Sequence, residues 1–310
     1  MGRHGKEEPK NYFVPVPWSS RGKAAVTSPP THEALRQDRW TGGLELIVEA
    51  LSPLHVGTGF FDEQDGRLVK ATILRRGEPV IPGSSIKGAC RQLREALTGS
   101  GSPFEAKGDV SASLFGALGQ RGRVSFDDAV PTEPVRLQTR AVRTPHSPLG
   151  GWRPRSPEGS KRNPRKKPRS DLQGRRFYGA FDDLHPRPGR GRIQVIPQHT
   201  RLRTALRFWN VEPFELGTVL AALGVLSCEE GFTPKLGGAK YETLGWVRYV
   251  PGEHQLRSGL GCVECGSDDA VWKEAADAAR LRFGGREPWS SVLAACLERF
   301  RAQADLRNGR

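Results

Sequence analysis

The sequence has few apolar residues, few cysteines and no long hydrophobic run. Hydrophobic residues make up 36% of the 310 residues, and no apolar stretch reaches the roughly 18 residues that a membrane-spanning helix needs. Residues 1–10 are polar and lack the apolar segment of a secretory signal. The five cysteines are irregularly spaced and do not form a disulfide framework. We therefore expect a protein of the reducing cytoplasm, with no membrane partner.

Acidic residues are scarce relative to basic ones. The chain has 34 Asp and Glu against 48 Lys and Arg, which gives a formal net charge of +14. A positive field of this size favours a polyanionic partner, with nucleic acid ahead of an anionic membrane. An Arg-rich genome would produce a similar composition, so the position of the charge carries more information than its sum.

Basic residues dominate between residues 136 and 192, where apolar residues become rare and Pro and Gly are frequent. Residues 161–169 contain no acidic residue, and we predict that Arg165, Lys166 and Lys167 contact RNA. This composition indicates an insertion that is flexible or that becomes ordered on RNA.

Strand and helix patterns alternate in the rest of the chain. We expect strands at residues 44–51, 68–74, 122–129, 193–197, 203–211 and 246–250, and a polar turn at 62–66. We expect helices at 84–97, capped by Ser84 or Ser85, at 214–228 after Pro213, and twice within 272–307. This order is compatible with an α+β, ferredoxin-like (RRM-like) core with an antiparallel sheet, although other α+β folds share it. The predicted division is an irregular arm (1–39), a core containing the basic insertion (40–250) and a helical extension (251–310).

The segment Gly83-Ser84-Ser85-Ile86-Lys87-Gly88 combines a helix start with two hydroxyls and a lysine. Free backbone N–H groups at such a start form an anion site, and Gly83 and Gly88 allow a phosphate to approach the backbone. The spacing is not that of a Walker A loop, so we do not predict an NTPase. An ordinary capped helix explains the same residues.

Two further segments are rich in glycine. His55 lies in the first, Leu54-His55-Val56-Gly57-Thr58-Gly59, and can contact phosphate, act in acid–base chemistry or be structural. The second spans residues 235–245 and can cradle a sugar–phosphate chain or form a simple hairpin loop. Its candidate RNA-binding residues are Lys235, Gly237, Gly238, Lys240 and Tyr241.

Four blocks, taken in order, resemble the repeat-associated mysterious protein (RAMP) superfamily. They are Leu51-Ser52-Pro53-Leu54-His55-Val56-Gly57-Thr58-Gly59; Ile81-Pro82-Gly83-Ser84-Ser85-Ile86-Lys87-Gly88 with Arg91; residues 113–116 with 122–129; and residues 236–247. The resemblance covers residues 44–130 and 193–250. The arm, the basic insertion and the tail lie outside it.

Within that superfamily the blocks are most similar to the backbone subunits of type III CRISPR effectors. The resemblance implies a ferredoxin-like core that stacks along a guide RNA, with a thumb that splays the guide–target duplex. It implies that Ser84, Ser85, Lys87 and Arg91 bind guide phosphates, and that the basic insertion forms the thumb or contacts RNA. The expected partners are guide RNA, complementary target RNA and other effector subunits, including copies of this chain.

The resemblance also implies a cleavage site. In cleaving members an aspartate in the loop after the His-x-Gly block cuts target RNA with a divalent metal such as Mg²⁺. Asp65 aligns best with that aspartate and Asp62 is the runner-up, with His55 a weaker catalytic candidate. A solvated turn explains the same carboxylates, and some members only bind, so the activity of a metal-dependent endoribonuclease stays open.

Cys262 and Cys265 form half of a zinc knuckle. A tetrahedral Zn²⁺ site needs four ligands, and the sequence has no second Cys-x-x-Cys. Cys228 and His254 complete the site only if the fold brings them close. Cys90 falls on the apolar face of a predicted helix and is expected in the core.

Three alternative functions remain from the sequence. One is a RAMP-family endoribonuclease that processes precursor repeats without a metal. Another is a non-catalytic cap subunit at one end of the complex. The third is an RNA-binding protein outside CRISPR.

Overall fold

The computed structural model describes residues 14–16, 32, 34–98, 110–142, 175–177, 191–225, 233–242, 244–267 and 270–283. The strands are β1 (Val14–Val16), β2 (Trp40–Ala50), β3 (Gly57–Gln64), β4 (Arg67–Thr72), β5 (Leu74–Arg75), β6 (Glu78–Pro79), β7 (Val124–Phe126), β8 (Val130–Pro131), β9 (Gln138–Val142), β10 (Arg175–Phe177), β11 (Gly191–Val195), β12 (Arg201–Val211), β13 (Val247–Ser258) and β14 (Val263–Gly266). The helices are α1 (Gly83–Thr98), α2 (Val110–Phe115), α3 (Pro213–Leu223) and α4 (Ala270–Phe283). None of these helices is long and apolar enough to cross a membrane.

The central sheet has the strand order β14-β13-β2-β12-β7, with β8 also paired to β12, and every pair is antiparallel. Alternate residues of β2 are buried on one face, namely Leu44, Leu46, Val48 and Ala50. The register places Leu206 of β12 opposite Leu44. These side chains share one hydrophobic core with apolar residues of α1, α3 and α4, so the helices cover this face of the sheet.

The chain order of the core elements is β2-α1-β7-β12-α3-β13. In the sheet, β13 and β12 flank β2, and β7 lies beyond β12. This is the split β-α-β arrangement of ferredoxin-like folds, so the α+β, ferredoxin-like prediction is confirmed. α1 packs against α3 and β7, and α3 packs against α4.

A second sheet has the order β3-β4-β11-β9. Its strands come from segments between β2 and α1 and between β7 and β12. β11 is antiparallel to β9 and parallel to β4, where Ile193 lies opposite Lys70. Val142, Ile193, Val195 and Leu244 form a small separate core under this sheet. The second sheet therefore adds a separate layer next to the β2–β3 connection.

A buried ion pair fixes the start of α3. Arg123 donates to the two carboxylate oxygens of Glu215 at 2.8 and 2.5 Å, and to the carbonyl of Asn210 at 2.6 Å. Glu215 also accepts from the backbone N–H of Glu212 at 2.9 Å. Burial by itself raises the pKa of Glu215, but the hydrogen bonds and charge of Arg123 outweigh it and hold that pKa below its ordinary value.

α3 is shorter than the predicted helix at 214–228. It starts at Pro213 as expected and ends at Leu223, because Gly224 adopts a left-handed backbone with φ 73° and closes the helix. A run of apolar residues extends the helical pattern in the sequence beyond this stop, which explains the overestimate.

Two predicted strand boundaries also differ. β3 extends to Gln64, so the polar turn predicted at 62–66 contains only Asp65 and Gly66. β13 runs to Ser258 and pairs with β14, so the sheet continues past residue 250. α4 matches the first predicted C-terminal helix. The second predicted C-terminal helix lies outside the described residues, as do most of the arm and most of the basic insertion, including Arg165, Lys166 and Lys167.

Candidate nucleic-acid interface

One pocket of about 400 Å³ lies where three glycine-bearing segments meet. The segments are the β2–β3 connection, the first turns of α1 and the loop at residues 235–245. The pocket is lined by Val56, Gly57, Ser84, Ser85, Gly88, Ala89, Gln92, Gly237, Gly238 and Lys240. Three segments that are far apart in sequence, each singled out as a candidate, therefore form a single site.

Helix α1, which forms one wall of the pocket, starts at a different residue from the one predicted. The Pro82 carbonyl accepts the first helical hydrogen bonds, from Ser85 and Ile86, and the N–H of Gly83 donates to the carboxylate of Asp128 at 2.9 Å. Ser84 and Ser85 are thus inside the helix, and the prediction that one of them caps it is wrong. The physical reason is that a carboxylate from the segment after β7 already receives the terminal N–H. The serines line the pocket instead, at the positive end of the helix dipole.

The two basic residues of α1 have different environments. Lys87 is half-buried, and burial, with a smaller contribution from the charge of Arg91, lowers its pKa. Arg91 donates to Glu95 at 2.7 Å and to the carbonyl of Gly116 at 3.0 Å. Neither residue lines the pocket. Their binding to guide phosphates stays a prediction, and for Arg91 it would compete with these two contacts.

The glycine-rich loop is held on the β2–β3 connection by backbone contacts. The N–H of Gly238 donates to the carbonyl of His55 at 2.7 Å, and that of Gly245 donates to the carbonyl of Pro53 at 3.0 Å. Gly237 has φ 84°, and a Cβ there would overlap the His55 carbonyl oxygen. The position therefore requires glycine, and the loop is seated as one wall of the pocket.

Lys235 and Lys240 serve different purposes in this loop. Lys235 is buried, donates its Nζ to the carbonyls of Lys240 and Glu242 at 2.9 and 3.2 Å, and lies 4.5 Å above the ring of Trp246. Burial, then the charge of Lys240, lowers the pKa of Lys235 to about 7. Lys240 lines the pocket, and burial lowers its pKa as well. Tyr241, half-buried next to it, does not line the pocket.

His55 lies beneath the pocket with only 6% of its surface exposed. Its Nδ1 hydrogen-bonds the backbone carbonyl of Gln194 at 2.7 Å. Burial lowers the pKa of His55, the charge of Lys70 adds to this effect, and the hydrogen bond to Gln194 opposes it. The Gln194 side chain accepts from the backbone N–H of Thr72 at 2.9 Å and donates to Asp62 at 2.8 Å. Gln194 therefore links the imidazole to the Asp62 carboxylate.

The two candidate catalytic carboxylates lie on the β3–β4 hairpin. Asp65 is at its tip, exposed, with φ 52°, and Gly66 follows with φ 68°. This pair forms the two-residue turn typical of Asp-Gly hairpins. Asp62 is also exposed but is held by Gln194. Within the described ranges, no group of three His, Cys, Asp or Glu side chains could hold a metal, so binding of Mg²⁺ stays a prediction.

The cysteines of the predicted zinc site lie at the sheet edge. Cys262 and Cys265 are exposed thiols at β14. His254 is buried on β13 and packs edge-on against Trp272, with ring centroids 5.0 Å apart. Cys228 lies outside the described residues, so the Zn²⁺ prediction stays open. Cys90 is buried in the core, as expected.

Sequence reasoning missed two residues that shape the site, Gln194 and Asp128. Gln194 is a buried amide between Ile193 and Val195. A polar residue in the middle of a short apolar strand is the signal that could have identified it, since buried polar groups need partners. Asp128 gives no such signal, because its role depends on the packing of β7 against α1.

Comparison with known proteins identifies a family. The family model of the RAMP superfamily matches residues 47–230. A chain of a solved Type IV-B CRISPR complex is 19% identical, with a TM-score of 0.36, over 67% of this chain and 90% of that chain. The comparison with curated proteins gives no match.

Proposed function

The chain belongs to the RAMP superfamily, and on that premise we propose that it is an RNA-binding subunit of a CRISPR effector complex. It holds the sugar–phosphate backbone of RNA in the pocket between the β2–β3 connection, α1 and the loop at 235–245. The observation that supports this is the convergence of all three segments on one pocket. Glycines let an RNA backbone approach closely, and the hydroxyls of Ser84 and Ser85 can donate hydrogen bonds to a phosphate.

The electrostatics of the chain support the same proposal. The formal net charge of +14 attracts RNA from a distance, and Lys240 places a cation at the pocket itself. Backbone contacts carry no sequence information, so base pairing by the guide selects the target. We propose a guide RNA as the ligand and a type III-like assembly, containing copies of this chain or other subunits, as the context in which complementary target RNA is bound.

A salt titration tests the binding proposal. Binding of a labelled single-stranded RNA is measured by fluorescence anisotropy over a range of salt concentrations, for the wild type, Lys240→Ala and Lys273→Ala. Lys273 is exposed on α4 and provides the matched loss of charge away from the pocket. The Lys240 variant should reduce the slope of log K against log salt by about 0.7, the contribution of one phosphate contact on a single strand. Equal slopes in the two variants would contradict the placement of RNA in this pocket.

A second candidate function is metal-dependent cleavage of target RNA. The observation that favours it is the link from Asp62 through Gln194 to His55, which fixes the position of a carboxylate relative to the imidazole. Asp65 is the alternative carboxylate, exposed at the tip of the hairpin. Either carboxylate could hold Mg²⁺ near the scissile phosphate, with RNA phosphates supplying the remaining ligands.

The cleavage proposal is tested on the purified native complex. A labelled RNA complementary to its guide is incubated with and without Mg²⁺, using wild type, Asp65→Ala and Asp62→Ala. Regularly spaced cuts that need Mg²⁺ and vanish in one variant would assign the catalytic carboxylate. Tight binding without cuts in any protein would leave a binding subunit or a cap, and cleavage of repeat RNA without metal would favour a processing enzyme.

A further inference from the structure

The imidazole of His55 has a defined tautomer. Its Nδ1 is 2.7 Å from the backbone carbonyl of Gln194. A carbonyl oxygen only accepts hydrogen bonds, so Nδ1 carries the proton and Nε2 presents a lone pair. Within the described chain no hydrogen bond is made to Nε2.

His55 does not itself line the pocket, but the Nε2 edge of its ring lies against two glycines that do. A Cβ built on Gly57 would lie 2.8 Å from Nε2, and one built on Gly238 would lie 3.2 Å from Cδ2 of the same ring. Both glycines line the pocket. Because neither glycine has a side chain, no Cβ of these two residues stands between this ring edge and the pocket.

The ring is neutral at neutral pH, since burial lowers its pKa below the ordinary histidine value. A neutral imidazole whose Nε2 lone pair lies at the wall of the pocket is a poor partner for a phosphate, because both groups are acceptors. The serine hydroxyls and Lys240 are suited to the phosphate instead. A ligand group that pairs with Nε2 would therefore be a hydrogen-bond donor located next to a phosphate.

We propose, on the basis of the function proposed above, that His55 Nε2 accepts a hydrogen bond from a ribose 2′-hydroxyl and so makes this pocket selective for RNA over DNA. In an RNA backbone the 2′-hydroxyl is the donor attached to the sugar next to each phosphate, and it is the group that distinguishes RNA from DNA. An amino group of a base is the other donor in RNA. Contact with a base would make binding depend on base identity, whereas contact with the ribose would not.

The test compares three kinds of labelled strand, each made in two sequences of different base composition: RNA, RNA with 2′-fluoro substitution throughout, and DNA. The 2′-fluoro strand keeps an RNA-like sugar pucker but has no hydroxyl proton. Full-length wild type should bind RNA about fivefold or more tightly than the 2′-fluoro strand, since one hydrogen bond per occupied pocket is lost. DNA should bind at least as weakly as the 2′-fluoro strand.

Two variants connect this preference to His55. In His55→Asn the amide nitrogen takes the place of Nδ1 and keeps the contact with Gln194, while the acceptor facing the pocket is removed. In Gly57→Ala the imidazole is retained but its Nε2 edge is crowded by the new methyl group. Both should reduce the ratio of RNA to 2′-fluoro affinity to near one, and thermal unfolding by circular dichroism checks that each variant is folded.

The outcomes separate the two proposals. A wild type that binds RNA and the 2′-fluoro strand equally, or a folded His55→Asn that keeps the full preference, overturns the ribose contact and leaves RNA binding intact. A preference that follows base composition overturns it in favour of a base contact. A wild type that binds none of the strands at low salt overturns the proposed function together with this inference.

Discussion

A single substitution at Gly88 can place a charge inside the pocket without disturbing the fold. Gly88 lies within α1 and lines the pocket, and a Cβ built there meets no atom of the described residues within 4 Å. Gly88→Glu and Gly88→Gln introduce side chains of the same size at this open position. They differ only in charge, so their comparison isolates the electrostatic effect on an RNA phosphate.

The size of the effect follows from the pocket. A pocket of about 400 Å³ has the volume of a sphere with a radius of about 4.6 Å, so we take a separation of roughly 6 Å between a glutamate charge at its wall and a phosphate inside it. At that distance Coulomb's law gives about 0.7 kcal/mol in bulk water and about 2.8 kcal/mol at an effective dielectric constant near 20. Gly88→Glu should thus bind single-stranded RNA about threefold to a hundredfold more weakly than Gly88→Gln.

The assay is fluorescence anisotropy with a labelled RNA at low salt, where the difference is largest. The gap between the two variants should shrink as salt increases, because ions screen the added charge. Ser125 supplies the matched control pair, Ser125→Glu and Ser125→Gln, since it is exposed on β7 and does not line the pocket. Equal affinities of the two Gly88 variants at low salt would refute the placement of a phosphate in the pocket.

Three further predictions concern the structure around the site. Glu215→Gln should lower the free energy of unfolding at neutral pH by about 3–5 kcal/mol, because it leaves Arg123 buried without its counter-charge. Because folding lowers the pKa of Glu215, its ionised carboxylate stabilises the wild type above the ordinary glutamate pKa, and this stabilisation is lost as pH falls through the pKa of the folded state. Urea unfolding at neutral and acidic pH measures the difference. The fold lowers the pKa of Lys235 from 10.5 to about 7, so the free energy of unfolding should increase as pH rises from about 7 to about 10.5. Lys235→Met should remove that pH dependence in the same assay. Gly237→Ala should destabilise the protein by at least about 1 kcal/mol more than Gly77→Ala. Both glycines have positive φ, but only at Gly237 would the new Cβ overlap a carbonyl oxygen, that of His55. Equal losses of unfolding free energy in the two variants would contradict the contact between the loop and His55.

The fold was largely predictable because its elements have strong local patterns. The alternation of buried residues in β2 and the apolar periodicity of α1 are both visible in the sequence. The order of strands and helices then narrows the choice to a few α+β folds. Sheet order is a tertiary property, so the placement of β13 and β12 on either side of β2 required the structure.

The site was predictable only in part. Glycines mark positions of close approach, which explains why all three glycine-bearing segments proved to line one pocket. Basic residues in a sequence are a weaker indication of an RNA site, because their side chains can bind protein groups instead of RNA. The pair of Arg91 with Glu95, four residues further along the same helix, is a contact that a sequence can indicate. The contacts of Arg91 with the Gly116 carbonyl and of Lys235 with loop carbonyls depend on the fold and could not be inferred.

The glycines in and beside the pocket are required for two different physical reasons, and the difference bears on function. At Gly83 and Gly237 a Cβ would overlap a backbone carbonyl, so packing alone requires glycine there. Gly88 has open space around it among the described residues, and an alanine at that helical position would stabilise α1 by roughly 0.5–1 kcal/mol. The described part of the fold therefore gives no reason for a glycine at Gly88. A bound RNA backbone that needs the room above the first turns of α1 would supply one, in the same pocket whose glycines lie against the Nε2 edge of His55.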